Sequence, residues 1–264
     1  MTEPPRTLPE YLNWLRRERQ VAGVDLQSPG YLKVAERIRA SFQSSLYWQQ
    51  LLERTNELDS QFRVRTGDAL LSAASRHREL LTKPFDSFME KTFRRNVIQN
   101  LNFPDEPTNG WLDAGNWYER VTDMVRTSII VRYLDAVPIL TRAIEAYSAD
   151  AGVECASTLE AREEGYYASH IVITHNVEVP ARVTGTERID AHVEIQVTTQ
   201  LQDAIRTLLH RFYERSRVAP TIDPTEWKWD HRSEAFAVNY LGHVLHYLEG
   251  NIVHVRERER GGTS

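Results

Sequence analysis

The chain has 264 residues, a formal net charge of −5, 41% hydrophobic residues and 26% charged residues. These values exclude wholesale disorder, collagen-like or coiled-coil architectures and a strongly basic nucleic-acid coat protein, and leave room for a local basic site that grips phosphates. Cys155 is the single cysteine, so no intrachain disulfide and no Cys-based zinc cluster can form, which fits a reducing, cytoplasmic setting.

Of the 32 Lys and Arg residues, only Lys33, Lys83, Lys91 and Lys228 are lysine. In so arginine-rich a chain, the position of each lysine carries information. The first ten residues hold no basic segment followed by an apolar run, and no stretch of about 18 apolar residues occurs, so neither a Sec-type leader nor a membrane span is expected.

In chain order, Pro4, Pro5 and Pro9 predict a short arm over residues 1–10. Ser28-Pro29 reads as an N-cap with a first-turn proline, opening a helix from about Tyr31 to Phe62. A second helix is expected over about Asp68 to Leu81, interrupted at Pro84, with a further helix to about Asn100. Residues 102–117 are turn-rich and read as a loop. The period then changes. Thr127–Tyr133 is a β-branched apolar run, the pattern of a buried strand, and Asp135–Tyr147 reads as a helix. Residues 148–165 are polar and predict a loop.

Tyr166–Val179 is strand-like. Ile189–Thr199 alternates, with Ile189, Ala191, Val193, Ile195 and Val197 on one face and Asp190, His192, Glu194, Gln196 and Thr198 on the other. Gln200–Arg217 predicts a helix, Pro220 and Pro224 a loop, and Ser233–Arg256 a long amphipathic helix. Its stripe of Leu241, Val244, Leu245, Leu248, Ile252 and Val255 is expected to dock on the domain or on a partner subunit. The spacing of His243, His246 and Glu249 differs from that of zinc hydrolases and predicts packing. The order of elements predicts an α+β fold: an N-terminal helical extension over residues 1–65, a mixed-sheet domain over 66–217 and a C-terminal helix over 218–264.

Four features could carry chemistry. On a helix at about 100° per residue, Lys83, Ser87, Lys91 and Arg94 fall within roughly 80° of one face. Three cations and a hydroxyl on one stripe suit a polyphosphate, although a solvated basic face has the same pattern. Asp123 precedes the first strand, where a carboxylate can reach a ligand at the sheet end or simply form a surface ion pair. Glu194 and Gln196 lie on the polar face of the alternating strand, and with Asp123 on a neighbouring strand Glu194 would complete a two-carboxylate magnesium site. Gly165-Tyr166-Tyr167-Ala168-Ser169-His170 places Tyr166 and His170 on one side of a strand, where the tyrosine can stack on a base or pack in the sheet.

In this order and spacing, over roughly residues 80–215, the features resemble the RelA/SpoT-like synthetase family. The resemblance implies a nucleotidyltransferase-like α+β fold and transfer of pyrophosphate from ATP to the 3′-hydroxyl of a guanine or adenine nucleotide, or of a tRNA end in toxin members. By that resemblance Lys83, Ser87, Lys91 and Arg94 bind ATP phosphates. Asp123 and Glu194 hold Mg2+, with Gln196 beside them in the catalytic strand. Tyr166, His170 and His210 receive the acceptor.

The resemblance also makes an antitoxin or a homo-oligomer a candidate partner. Three family arginines are absent: their positions are Leu81, Ser128 and Thr198. Their loss admits a second reading, a catalytically degenerate nucleotide sensor or partner-binding protein on the same scaffold.

Overall fold

The computed structural model describes residues 3–18, 29–76, 78–112, 116–180, 185–206 and 226–261. Its elements are helices α1 (Leu8–Glu18), α2 (Pro29–Ser44) and α3 (Leu46–Thr66), strand β1 (Leu81–Thr82), helices α4 (Phe85–Phe93) and α5 (Trp117–Arg120), strand β2 (Val125–Val131), helix α6 (Ala136–Asp150), strands β3 (Cys155–Ala161), β4 (Tyr167–Pro180) and β5 (Thr186–Thr199), helix α7 over residues 200–206, and helix α8 (Glu234–Gly261). The strands form one five-stranded sheet in the order β1-β2-β5-β4-β3. This is the α+β architecture that the change of period predicts.

Four sequence expectations are corrected. The arm expected over residues 1–10 ends earlier: Pro4 and Pro5 precede α1, but Pro9 sits in its first turn, where its missing N–H costs nothing. The long helix expected from Tyr31 breaks at Ser45 with neither Pro nor Gly present. The Ser44 and Ser45 hydroxyls donate to the carbonyls of Ala40 and Phe42, which competes with the helical ladder. Among the described residues, the helix expected over Asp68–Leu81 is reduced to a short 3-10 turn at Ala73–Arg76. Gly67, at φ +77°, ends α3, and Asp59 Oδ1 then accepts the N–H groups of Leu70 and Leu71, which pins that segment beside β2. Finally, β3 replaces part of the expected 148–165 loop; it is a mostly exposed edge strand, so its apolar alternation is faint. The loop expected at Pro220 and Pro224 lies outside the described residues.

The chain divides into two compact units, each built from separated stretches. The first comprises residues 1–45, 80–126 and 173–194. Its core is aromatic: Tyr31 stacks on Phe88 at 4.9 Å and lies 4.8 Å from Trp117, while Tyr11 meets Phe93 at 5.2 Å. Asn96 ties this core together, donating to the Tyr11 hydroxyl and the Leu112 carbonyl. The second unit comprises residues 46–79, 127–172 and 195–264, with Ile129, Leu140, Ile144, Ile171 and Ile195 fully buried.

Within the second unit, α8 docks by the face opposite to the one its sequence suggests. Asn239 and Glu249 are buried, Thr199 Oγ1 donates to Glu249 Oε2 at 2.7 Å, and His246 stacks on Tyr167 with centroids 3.6 Å apart. The Tyr167 hydroxyl bonds His243 Nδ1 at 2.8 Å, and Arg256 pairs with Asp135. Leu241, Val244, Leu248, Ile252 and Val255 face solvent. Of the stripe expected to dock on the domain or on a partner subunit, these five are exposed and Leu245 is half-buried, so it is not the face that holds α8 to its own unit. Among the described residues, no helix is long and apolar enough to cross a membrane.

Burial raises the Glu249 carboxyl to about 7, against the hydrogen bond from Thr199, with Asp135 adding to the rise. The folded state thus keeps a proton that the unfolded chain has released above its ordinary value of 4.5. Stability attached to this group is full below that value, falls as pH rises toward 7 and stays low above it. Glu249→Gln is expected to raise stability at pH 8 by on the order of 2 kcal/mol and to leave it nearly unchanged at pH 4.5. Urea unfolding at the two pH values reads the difference.

Candidate functional site

The first unit brings Lys83, Lys91 and Asp123 together. Lys83 is not on a helix, contrary to the single-stripe expectation: it follows β1, and its N–H donates to the Met124 carbonyl at 2.8 Å. Pro84 ends that ladder and supplies the N-cap of α4, where Phe85, Phe88, Met89 and Phe93 bury one face and carry Lys91 beside Asp123. Lys83 Nζ lies 2.7 Å from Asp123 Oδ2, and Lys91 Nζ lies 2.6 Å from Oδ1. All three side chains are largely buried. The Tyr31 hydroxyl donates to the Lys83 carbonyl at 2.8 Å, fixing the backbone from which the lysine projects.

The electrostatics follow from that geometry. Burial alone would raise the Asp123 carboxyl, but the Lys91 and Lys83 ammonium groups overcome it and hold Asp123 well below the usual carboxylate range. Burial lowers Lys91, and Asp123 opposes the drop. Two ammonium groups on one carboxylate leave a net positive, partly desolvated pair that is suited to an arriving polyanion.

Arg94 and Ser87 are less central than the sequence suggests. α4 passes into a π-helical turn at Arg94–Ile98, closed by Gln99 N–H to Arg94 O at 2.8 Å. Arg94 is exposed; Arg95 is the arginine whose charge bears on Lys91, and it donates to the Arg120 carbonyl. Periodicity cannot foresee such a turn, because one residue is added to the helical repeat. Ser87 is half-buried on α4 and makes no hydrogen bond among the described residues.

Glu194, in the same unit, is 6% exposed on β5. The polar face of β5 is therefore buried at Glu194, not solvated. Asp123 and Glu194 are oxygen donors of the type magnesium takes. Each Asp123 oxygen keeps a lone pair beyond the one its lysine occupies, so the carboxylate can accept a cation once an anion draws the ammonium groups away. Among the described residues, no three His, Cys, Asp or Glu side chains cluster. A metal there would take its remaining ligands from water and substrate phosphate.

The second unit holds the other motifs. The Tyr166 hydroxyl bonds His170 Nε2 at 2.9 Å, so the two do share one side of the chain, and the Arg162 guanidinium lies 5.2 Å from the Tyr166 ring centre. Gly165, at φ +78°, lets this motif pass against α8: an added Cβ would lie 2.5 Å from the Asn239 carbonyl and 2.9 Å from Gly242 Cα. Gln196 is buried on β5.

Thr198, at one of the positions where the resembling family carries an arginine, is buried and donates to the Tyr167 carbonyl at 3.1 Å. Ser128, at another, is contacted by Arg206 of α7, whose Nη1 lies 3.2 Å from Ser128 Oγ and 3.4 Å from Gln196 Oε1. Arg206 brings a guanidinium to a position where the chain lacks its own. Nothing in linear spacing marks it, because it arrives from a different element. His210 lies outside the described residues.

No protein-family model and no curated protein matches the chain. Among solved structures, the chain is similar to small alarmone synthetase 1 from Bacillus subtilis. The identity is 15%, over 81% of this chain and 94% of that one, with a TM-score of 0.52. The same synthetase bound to its product pppGpp matches at 15% identity over 80% and 93% of the two chains, with a TM-score of 0.51. The chain thus has the fold of the small alarmone synthetases.

Removing the Asp123 charge strands two buried ammonium groups. Asp123→Asn is expected to cost about 3 kcal/mol in urea unfolding at pH 7. Because the folded Asp123 value is depressed, its contribution is complete above the ordinary value of 3.8 and is lost as pH falls below it. The gap between Asp123→Asn and the unmodified chain should therefore close in acid.

Proposed function

We propose that the chain is a magnesium-dependent pyrophosphokinase that transfers pyrophosphate from ATP to the 3′-hydroxyl of a nucleotide or of a tRNA end. The Lys83–Asp123–Lys91 cluster carries this reading. A carboxylate held between two largely buried ammonium groups has the charge pattern needed to exchange one set of partners for a metal–polyphosphate. The fold shared with the alarmone synthetases supports it, as does the pppGpp that the Bacillus subtilis protein binds.

In this reading the 3′-oxygen attacks the β-phosphorus of ATP, the bond from that phosphorus to the α-phosphate oxygen breaks, AMP leaves and the hydroxyl proton is released. Lys83 and Lys91 hold the donor phosphates and take up charge that develops on them. Asp123 and Glu194 hold magnesium, which when bound neutralises phosphate charge and favours the ionised acceptor hydroxyl. Tyr166 offers an aromatic face for the acceptor base, with His170 fixing its hydroxyl.

A second reading, nucleotide binding without transfer, is favoured by Thr198, whose buried hydroxyl is committed to the Tyr167 carbonyl and brings no cation. An antitoxin partner and self-association belong to the proposal at the same level. Purified chain incubated with magnesium, γ-labelled ATP and, in turn, GDP, GTP, an adenine nucleotide and tRNA distinguishes the readings. Label is expected on one acceptor with release of AMP, and Asp123→Asn is expected to reduce the rate by about 10²–10³-fold. Saturable ATP binding without label on any acceptor would favour the sensor.

A further inference from the structure

Tyr166 is reached through a tight turn. Gly165 N–H donates to the Arg162 carbonyl at 2.9 Å, and Arg162 N–H donates to the Tyr166 carbonyl at 3.0 Å. Both bonds lie within the turn, so neither ties it to another element. Residues 161–163 are exposed, and the ion pair of the exposed Glu163 side chain with Lys228 adds little.

α8 supplies the tie. His243 Nε2 lies 2.8 Å from the Glu163 carbonyl oxygen, and His243 Nδ1 lies 2.8 Å from the Tyr167 hydroxyl. A carbonyl only accepts, so Nε2 carries the hydrogen and donates, and Nδ1 accepts from the tyrosine. One imidazole thus bonds the turn on both sides of Gly165. Beneath it the turn meets the helix backbone to backbone, since a Cβ on Gly242 would fall 2.3 Å from the Gly165 oxygen. Tyr167 engages α8 through His243 and His246, whereas its neighbour Tyr166 engages His170. We propose that His243 is a positioning residue for the acceptor, holding the turn over residues 163–167 so that Tyr166 presents its ring to the acceptor base. The last helix thereby serves acceptor binding without touching the acceptor. This inference rests on the reading of Tyr166 and His170 as the acceptor site.

Hydrogen–deuterium exchange and steady-state kinetics of the full chain test it, with thermal unfolding as the check on folding. His243→Phe keeps a ring and removes both hydrogen bonds. Peptides covering residues 162–167 should then exchange faster, and those of β5 should not. With whichever of GDP, GTP, an adenine nucleotide or tRNA takes label, KM for that acceptor should rise about tenfold, the effect of two neutral hydrogen bonds. KM for ATP and kcat should stay within about twofold. His243→Gln, which keeps a donor for the Glu163 carbonyl, should recover part of the loss. Tyr167→Phe removes the other bond and keeps the ring that stacks on His246, and should raise the acceptor KM about threefold; it decides the matter if His243→Phe does not fold.

An unchanged acceptor KM in folded His243→Phe, or in Tyr167→Phe where His243→Phe does not fold, overturns the inference and leaves the acceptor site standing. Equal losses toward ATP and acceptor, or a loss that His243→Gln does not ease, also overturn it, since His243 then serves only to dock α8. An unmodified chain that transfers label to none of the four acceptors overturns the acceptor reading itself, and the inference with it.

Discussion

A single carboxylate between two ammonium groups organises the first unit. Asp123 lies just before β2, Lys83 just after β1 and Lys91 in the last turn of α4, and Asp123 joins these three elements by accepting from both lysines. β1 is only two residues long and could not hold its place by backbone pairing alone. The Lys83 side chain, its N–H on Met124 and the Tyr31 hydroxyl on its carbonyl fix the strand from three sides. The same arrangement has a chemical consequence. Largely buried cations held by one anion can exchange it for another anion, which is the step the proposed function uses.

The second unit shows a different logic. α8 turns its polar and aromatic residues inward, toward Thr199, Tyr167 and Asp135, and leaves its aliphatic stripe in solvent. Hydrogen bonds and a stacked ring pair, together with the close approach of Gly165 and Gly242, define this contact. It places α8 against both Tyr167, which follows Tyr166, and Thr199, which ends β5. The geometry around Gly165, Tyr166 and Tyr167 therefore depends on a helix that lies outside the region of resemblance.

Much of this was legible in the sequence. The β-branched run of β2 and the alternation of β5 located the centre of the sheet, and motif spacing picked out Lys83, Lys91 and Asp123 as site residues, though not the ion pairs that join them. The failures share physical causes. The single helical stripe was drawn from Lys83 across the interruption that Pro84 already marked, and it favoured Arg94 over Arg95 because a π-helical turn shifts the repeat. The polarity of α8 misled because amphipathicity shows which face is apolar, not which face is covered. Arg206 escaped notice for another reason: it reaches Ser128 from a separate helix, so no interval along the chain connects the two.

The chain's composition makes the central claim directly measurable. With only four lysines, the side-chain nitrogen signals of 15N-lysine-labelled protein can be assigned one by one by substitution. If Asp123 yields its ammonium partners to the donor phosphates, adding a non-hydrolysable ATP analogue with magnesium shifts the Lys83 and Lys91 signals. It also raises the titration midpoint of Lys91, which burial now depresses, and leaves Lys33 and Lys228 unmoved. Saturating analogue that leaves Lys83 and Lys91 unchanged would contradict the account.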